Sequence, residues 1–298
     1  MPELPDVVVY LEALAPRVLD QPLERFRLGN PFIVRTIEPA PADFEARRIT
    51  ALRRMGKRLV FEFEGDLFLV LHLMIAGRLR WRERGAAIPG KNGLAAFDFA
   101  TGTLLLTEAG SKRQAAIHLV RGEAGLTEFD RGGLEVLDST LPAFAERLTR
   151  ENHTLKRALT DPTILSGIGN AYSDEILHAA RLSPMKQTRQ LTEGEIARLH
   201  AAAIQTLEAW IERTREEVGE RFPEKVTAFR DGMAVHGRYN QPCPACGSPV
   251  QRIVYASNEC NYCATCQTEG RLLSDRALSR LLRHDWPKTL EEMEKRRL

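Results

Sequence analysis

The chain has 298 residues, of which 43% are hydrophobic, and a formal net charge of only +2. This length suits two domains with a small appendage, and the charge lacks the strongly basic balance typical of nucleic-acid-binding proteins. No apolar run is long enough to span a bilayer and no signal-peptide pattern begins the chain, so we expect a cytoplasmic protein without a membrane partner.

The first six residues, MPELPD, contain two prolines and two carboxylates before any hydrophobic periodicity. One interpretation is a helix start, with Pro5 in the first helical position and the acids near the positive end of the helix dipole. The other is that Pro2 becomes the mature N-terminus and acts as an amine. The tip taken alone leaves both open. A helix is predicted over residues 8–20, kinked or shortened by Pro16.

Residues 25–109 contain short alternating segments separated by turn signals at 64–66 and 101–102, a pattern that predicts a β-sandwich. Basic residues crowd positions 47–58. Four more alternate in sequence and would share one strand face: Arg78, Arg80, Arg82 and Arg84. Such a row is typical of a solvated strand face, and it also suits phosphate binding.

From about residue 140 the hydrophobic period becomes helical, after a loop at 130–133 that ends the first domain. The stretch GIGN at 167–170 predicts a glycine turn, with Asn170 as the N-cap of a helix and Asp174 and Glu175 in its first turn. Such a turn presents backbone N–H groups to an anion, although an ordinary corner between two helices fits equally well. Thr192 and Glu195 predict a capping box for a later helix.

All five cysteines lie between 243 and 266. Two C-x-x-C pairs, which contain Cys243, Cys246, Cys263 and Cys266, have the spacing of a closed four-cysteine zinc site, which is structural rather than catalytic. Disulfides are the alternative, and a cytoplasmic chain disfavours them. Cys260 could in principle replace Cys266, but the outer pair is preferred because it flanks a predicted strand pair. The tail from 274 to 298 is predicted to form one or two amphipathic helices.

Four features together resemble the formamidopyrimidine-DNA glycosylase and endonuclease VIII family, and MPELPDV favours the formamidopyrimidine branch. They are the Pro-Glu tip, the strand-rich front half, the segment GIGNAYSDEIL at 167–177 and the cysteine finger, supported by GKRL at 56–59 and VHGR at 235–238. The resemblance implies a multi-domain α+β fold, divided as follows: a β-sandwich flanked by helices over 1–132, a helical domain with a helix-two-turns-helix motif over 133–232, a zinc-finger hairpin over 233–273, and a tail of unknown role over 274–298.

The resemblance also implies a catalytic set. Removal of Met1 would leave Pro2 as a secondary amine that attacks the sugar C1′, expels the damaged base and permits β-elimination. Glu3 would serve as acid or base, and Lys57 would assist elimination and hold a phosphate. Lys156 and Asn170 would contact phosphates, and Glu175 would be structural.

The chain departs from the family where side chains fill the gap left by an extruded nucleotide. The family Arg-Phe pair is absent, and Lys112 and Arg113 stand in that stretch. The family methionine corresponds either to Met74 or to Ile75. In the finger, Asn258 stands where the family has an arginine that grips a phosphate, which predicts weaker δ-elimination, weaker lesion binding, or compensation by Arg252 or Arg271.

We therefore expect a bifunctional DNA glycosylase and abasic-site lyase of base-excision repair, a monomer that binds one structural Zn²⁺ and damaged double-stranded DNA in a bacterial nucleoid. One alternative is a non-catalytic lesion-binding protein of the same fold. The other is a zinc-ribbon adaptor, which leaves the Pro-Glu tip unexplained. The damaged base itself is not predicted beyond an oxidised or ring-opened class.

Overall fold

The front half of the chain folds as two four-stranded antiparallel sheets, in a computed structural model that describes residues 1–110, 112–224, 226–227, 229–255, 258–274 and 287–297. The strands are β1 (Arg25–Leu28), β2 (Ile49–Met55), β3 (Arg58–Phe63), β4 (Leu67–His72), β5 (Gly77–Arg82), β6 (Gly93–Phe99), β7 (Gly102–Glu108) and β8 (Ala116–Arg121). One sheet has the order β1-β6-β7-β5 and the other β2-β3-β4-β8. The predicted β-sandwich is confirmed.

Strand alternation explains how the second sheet is buried on both of its faces. In β3 and β4, Leu59 and Leu69 belong to the main core, whereas Val60 and Val70 belong to a separate apolar cluster. Successive side chains of a strand point to opposite faces, so a continuous apolar run such as LFLVLH indicates burial on both sides. The second face is covered by Leu126 of a short helix, α2 (Glu123–Leu126).

Helix α1 (Leu4–Val18) fixes the N-terminal tip against this sandwich. Its buried residues recur at helical spacing and join the main core: Val7, Tyr10, Leu14 and Val18. The helix begins four residues earlier than the hydrophobic pattern predicts, and Pro5 is its second residue rather than its first. Pro16 lies inside the final turn, and the helix ends at Val18.

The predicted turn at 64–66 is confirmed, because β3 ends at Phe63 and β4 begins at Leu67. The second predicted turn is displaced by one residue. Gly102 pairs with Phe99 and begins β7, so the turn consists of Ala100 and Thr101. Gly102 has a φ of +154°, and a Cβ there would lie 2.7 Å from the Trp81 ring, so close packing explains the glycine.

The helical region contains α3 (Leu141–Thr149), α4 (Leu155–Thr160), α5 (Asn170–Ala179) and α6 (Glu193–Val218). The predicted capping box at the start of α6 is confirmed. The Thr192 N–H donates to Glu195 Oε2 at 2.9 Å, and the Glu195 N–H donates to Thr192 Oγ1 at 3.2 Å. Two of the four N–H groups that a helix start leaves unpaired are thereby satisfied.

The cysteine-rich region forms an antiparallel hairpin of β9 (Gln251–Tyr255) and β10 (Asn258–Tyr262), followed by α7 (Ala264–Thr268). A last helix, α8 (Leu290–Arg297), lies in the described part of the tail. Its Leu290 packs with Leu272 and Leu273 on an apolar cluster that includes Ile253 and Tyr262. The predicted tail positions Leu278, Leu281 and Leu282 lie outside the described residues.

The chain divides into two compact units, Met1–Arg131 with Trp210–Ala228, and Gly132–Ala209 with Phe229–Leu298. This division differs from the predicted one at Trp210–Ala228, which the sequence assigned to the helical domain. The reason is packing, because Phe222 and Val226 contact the core of the sandwich. The finer boundaries at 233 and 274 stay a prediction.

Candidate active site and metal centre

The N-terminal tip is buried rather than frayed. Pro2 is buried, and Glu3 is only 3% exposed at the N-cap position of α1. The Glu3 N–H donates a hydrogen bond of 2.8 Å to Oδ2 of Asp6, which lies in the first turn. The interpretation of MPELPD as a helix start is therefore confirmed, and the role of Pro2 as an amine stays a prediction.

Four charged side chains act on the N-terminal amine of Met1. Burial lowers the pKa of this amine below its usual value, because the charged form loses solvation. Glu3 and Asp6 raise the pKa, and Arg78 and Lys57 lower it. The tip and Lys57 were predicted site residues, and the structure brings them together. Arg78 and Asp6 were not assigned to the site, although Arg78 begins the arginine row.

Lys57 occupies the tip of the β2–β3 hairpin, a two-residue turn between Met55 and Arg58. Gly56 is the first turn residue and has a φ of +61°, a conformation that such tight turns require and that glycine adopts easily. The side chain of Lys57 is half-buried. A short turn leaves little backbone freedom, so the hairpin holds the start of this side chain in a defined position.

The arginine row is only partly a surface feature. Arg82 ends β5 and pairs with Glu224, and Arg84 pairs with Glu24 at 2.9 Å. Arg78 donates to the carbonyl oxygen of Gly77 at 2.7 Å, and Arg80 is exposed. Two of the four guanidinium groups are therefore engaged with carboxylates of the same unit.

Glu108 organises the loop in which the chain departs from the family that it resembles. This carboxylate is 1% exposed and accepts hydrogen bonds from the backbone N–H groups of Gln114 and Ala115, at 3.0 and 3.1 Å. Lys112 and Arg113 are exposed in the part of the loop that this contact closes, and Arg113 donates to the Lys91 carbonyl oxygen at 2.6 Å. The sequence did not indicate a role for Glu108.

The turn between β4 and β5 contains both candidates for the family methionine, and it exposes them to different extents. Met74 has a φ of +51° and is half-buried, whereas the side chain of Ile75 is 64% exposed. Gly77 closes the turn, and a Cβ at that position would lie 2.2 Å from the Leu73 carbonyl oxygen. Ile75 is therefore the apolar side chain that the turn presents to solvent.

Lys156 lies in a buried polar network rather than on a surface. The residue is 4% exposed, and its Nζ atom donates to Asp174 Oδ1 at 2.5 Å and to Ser173 Oγ at 2.8 Å. Oδ2 of Asp174 lies 2.8 Å from Nδ1 of His236. Asp174 was predicted in the first turn of α5. It lies beyond that turn and is fully buried. Its carboxylate is paired there with Lys156 and His236.

Asn170 is the first residue of α5, and Gly169 is its N-cap. The prediction that Asn170 caps this helix is therefore wrong by one position. Its side-chain Nδ2 donates instead to the carbonyl oxygen of Glu259 in β10, at 2.9 Å. The glycine turn and the finger hairpin are thus joined by a direct hydrogen bond.

Glu175 holds the segment that precedes the finger. Its carboxylate accepts the backbone N–H groups of Ala234, Val235 and His236, at 2.6, 2.9 and 2.9 Å. Burial raises the pKa of Glu175, and these three hydrogen bonds oppose the shift. A carboxylate that pairs three successive N–H groups fits the structural role that the resemblance implies.

The four outer cysteines form a cluster, with all sulfur atoms within 4.8 Å of one another: Cys243, Cys246, Cys263 and Cys266. The Sγ separation is 3.4 Å between Cys246 and Cys263. The Sγ separation between Cys243 and Cys266 is 4.0 Å. Tetrahedral ligands about 2.3 Å from a zinc ion are separated by about 3.8 Å, so the cluster fits one metal ion. Cys260 lies in β10, is 1% exposed and is not part of the cluster.

The hairpin of the finger carries the other predicted DNA contacts. Asn258 begins β10 opposite Tyr255, and its side chain lies outside what the structure describes. Arg252 in β9 is exposed, and its guanidinium lies over the Tyr239 ring, 4.2 Å from the centroid. Arg271 is exposed beyond α7. Among the described helices, none has both the length and the apolar character needed to cross a bilayer.

Family models match both halves of the chain. The model of the formamidopyrimidine-DNA glycosylase N-terminal domain matches residues 1–115, and that of the H2TH domain matches residues 134–221. The formamidopyrimidine-DNA glycosylase of Thermus thermophilus is 35% identical over 279 residues, which are 91% of this chain and 100% of the relative. The relatives named as this enzyme also come from other bacteria, such as Symbiobacterium thermophilum and Lactococcus lactis.

Solved structures agree with this match. The Lactococcus lactis Fpg in complex with abasic-site DNA has a TM-score of 0.80 and 26% identity, covering 89% of this chain and 99% of that one. MutM in complex with DNA that contains carbocyclic 8-oxo-G has a TM-score of 0.80 and 26% identity, covering 90% of this chain and 100% of that one.

The sandwich, the helical unit and the four-cysteine finger, together with these matches, define a DNA glycosylase of base-excision repair. The chain belongs to the formamidopyrimidine-DNA glycosylase family, of which abasic-site lyase activity is characteristic.

Proposed function

We propose that this enzyme uses the secondary amine of Pro2, exposed when Met1 is removed, to attack C1′ of a damaged nucleotide. The observation that carries the proposal is the burial of the tip, with Pro2 and Glu3 held at the start of α1 beside Lys57 and Arg78. A nucleophile must be delivered in a fixed geometry, and a frayed terminus would lack one.

The bond changes follow from the amine. Its lone pair forms the C1′–N bond, the C1′–base bond breaks, and the base leaves with the electron pair and a proton. The sugar ring then opens: the nitrogen lone pair forms the C1′=N bond, the C1′–O4′ bond breaks, and O4′ takes a proton from Glu3. Because the amine is secondary, the resulting iminium ion is cationic without protonation of its nitrogen. This cation acidifies C2′–H; the proton leaves, the C3′–O bond breaks, and the 3′ phosphate departs by β-elimination.

Two side chains would move or balance charge in these steps. Glu3, next to the amine in sequence, would act as acid and base for ring opening and for removal of the C2′ proton. Lys57, on its short hairpin, would offset the negative charge on the departing phosphate. Burial lowers the pKa of the Met1 amine at this tip, and the same surroundings would favour the unprotonated, nucleophilic form of the Pro2 amine once Met1 is removed.

We further propose that the cysteine cluster holds one Zn²⁺, bound by Cys243, Cys246, Cys263 and Cys266. Four thiolates leave no open coordination position, so the ion would stabilise the finger and would not take part in catalysis. The contact of the finger with α5 through Asn170 and Glu259 supports a shared DNA-binding surface in this unit. Asn258 carries no charge and cannot make a charge-assisted phosphate contact. Arg252, which is exposed on the hairpin, would make that contact instead.

For base extrusion we propose that Ile75 and Arg113 occupy the space left in the duplex. Both are exposed on turns of the sandwich, and Ile75 supplies an apolar side chain of the kind that stacks between bases. The relatives' names and the 8-oxo-G in one solved complex support an oxidised or ring-opened base as the substrate. The protein would act as a monomer on nucleoid DNA.

Reduction of the iminium ion tests the proposal. The protein is mixed with a duplex that contains one abasic site, borohydride is added, and the covalent complex is separated by denaturing electrophoresis. We expect a 1:1 adduct with the mature chain and none with a chain that keeps an uncleaved extension before Pro2. An adduct of equal yield with the extended chain would contradict the proposed nucleophile, and DNA binding without any adduct would favour a non-catalytic lesion binder.

A further inference from the structure

Helix α5 reaches the cysteine cluster through one side chain. His178 lies in the last turn of α5, and its Nε2 atom is 3.2 Å from Sγ of Cys243. Both residues are buried, with exposures of 9% and 2%. The two residues are 65 positions apart in sequence, so the contact joins the helix of the glycine turn to the first cysteine knuckle.

The chemistry of the cluster fixes the direction of this hydrogen bond. A thiolate that binds a metal ion carries no hydrogen, so its sulfur can only accept. The hydrogen must therefore lie on Nε2 of His178, which donates to the sulfur.

Another sulfur of the cluster receives its hydrogen bond from within the finger. The Cys266 N–H donates to Cys263 Sγ at 3.5 Å. This donor belongs to the same C-x-x-C knuckle as the sulfur. His178 differs from this donor, because it lies in α5, a helix outside the finger with its own backbone hydrogen bonds.

We propose that His178 is a positioning residue for the metal centre. Its Nε2–H orients the Cys243 thiolate toward the ion and withdraws charge from the sulfur, and the retention of metal thereby depends on α5. The inference rests on the zinc site proposed above. Partners of this kind, one step away from the ion, typically change metal affinity by about 10- to 100-fold when they are removed.

A matched pair of substitutions tests this role in the full-length protein. In H178Q the side chain keeps an N–H donor, and in H178M a side chain of similar length has none. Zinc per chain is measured first, and the rate of zinc transfer to an excess of a chromogenic chelator is then followed. We expect the wild type and H178Q to release zinc at similar rates and H178M to release it about 10-fold faster. H200Q, which changes a half-buried histidine bonded to Ser139, is the control and should behave as the wild type.

Cobalt substitution gives a readout that a merely structural role would not move. A hydrogen bond lowers the energy of the sulfur lone pair, so its loss shifts the thiolate-to-Co²⁺ charge-transfer band to longer wavelength. We expect this shift in H178M and not in H178Q. Equal zinc release and equal spectra in the two variants would overturn the role of His178, whether both resemble the wild type or both lose metal quickly. A wild type without zinc would overturn the zinc site and this inference together.

Discussion

The ammonium group of Lys156 lies 2.5 Å from Oδ1 of Asp174, and both side chains are buried, with exposures of 4% and 0%. The sequence predicts Lys156 as a phosphate contact, but the geometry favours a structural ion pair at the base of the glycine turn. Removing one partner of a buried pair leaves the other charge unpaired and is strongly destabilising.

We therefore expect K156M to lower the free energy of unfolding by about 3–5 kcal/mol. K186M, which removes the more exposed pair with Glu195, should cost about 1 kcal/mol or less. Chemical denaturation of both variants checks the difference. Unchanged stability of K156M, together with a selective loss of DNA affinity, would instead support the phosphate contact.

The pH profile of single-turnover abasic-site cleavage should report the N-terminal amine. Only the unprotonated Pro2 amine attacks, so the rate should rise with pH to a plateau. Burial lowers the pKa of the Met1 amine at the same tip, and Arg78 lowers it further. We expect the same surroundings to act on the mature Pro2 amine, so the midpoint should lie below the pKa of the same amine in a short peptide, and R78M should move it to higher pH. A wild-type midpoint at or above the value in the peptide would contradict a buried nucleophile.

Lys57 should matter more for elimination than for formation of the covalent intermediate. We expect K57M to reduce single-turnover strand cleavage by about 10²-fold, while the yield of the borohydride-trapped adduct falls much less. R121M removes an exposed cation at the end of β8 and should leave both values unchanged. Equal losses of cleavage and adduct in K57M would assign Lys57 to binding or to the first step.

Ile75 and Arg113 should be needed for activity only on DNA in which a stacked base must be extruded from the duplex. I75A and R113A should each lower base release from a lesion-bearing duplex by about 10-fold, equivalent to about 1.4 kcal/mol of barrier. Cleavage of an abasic site in single-stranded DNA should stay within about twofold of the wild type, because no stack has to be opened. Equal losses on both DNAs would show that these side chains do not fill the gap.

Metal removal should disrupt the finger and leave the sandwich folded. The cysteine cluster lies in the second unit, and the main core of the sandwich contains none of the four cysteines. Dialysis against a strong chelator should therefore abolish DNA binding while hydrogen exchange in β3, β4 and β8 stays protected. Loss of protection in these strands together with the finger would contradict an independent metal site.

The sequence predicts most accurately those features that depend on local spacing. The two C-x-x-C knuckles identify the four clustered sulfurs, and Thr192 and Glu195 identify the start of α6. Residues with distant partners are predicted less well. Asn170 bonds to Glu259, 89 positions away, so its amide does not cap the helix that it begins.

The N-terminal tip shows the same limit. The resemblance singles out Pro2, Glu3 and Lys57, but no local pattern indicates that Arg78 and Asp6 act on the N-terminal amine of Met1. That arrangement depends on the docking of α1 against the sandwich through Leu14 and its neighbours. Glu108 and His178 were missed for a similar reason, because a single buried carboxylate or histidine has no sequence signature until its partners are known.

The most direct test of the account is the site of the covalent bond. The borohydride-reduced complex is digested with a protease and a nuclease, and the modified peptide is sequenced by tandem mass spectrometry. We expect an N-terminal peptide that begins at Pro2 and carries the sugar remnant on its amine. A remnant on Lys57 or another lysine, or a modified peptide that still begins with Met1, would contradict it.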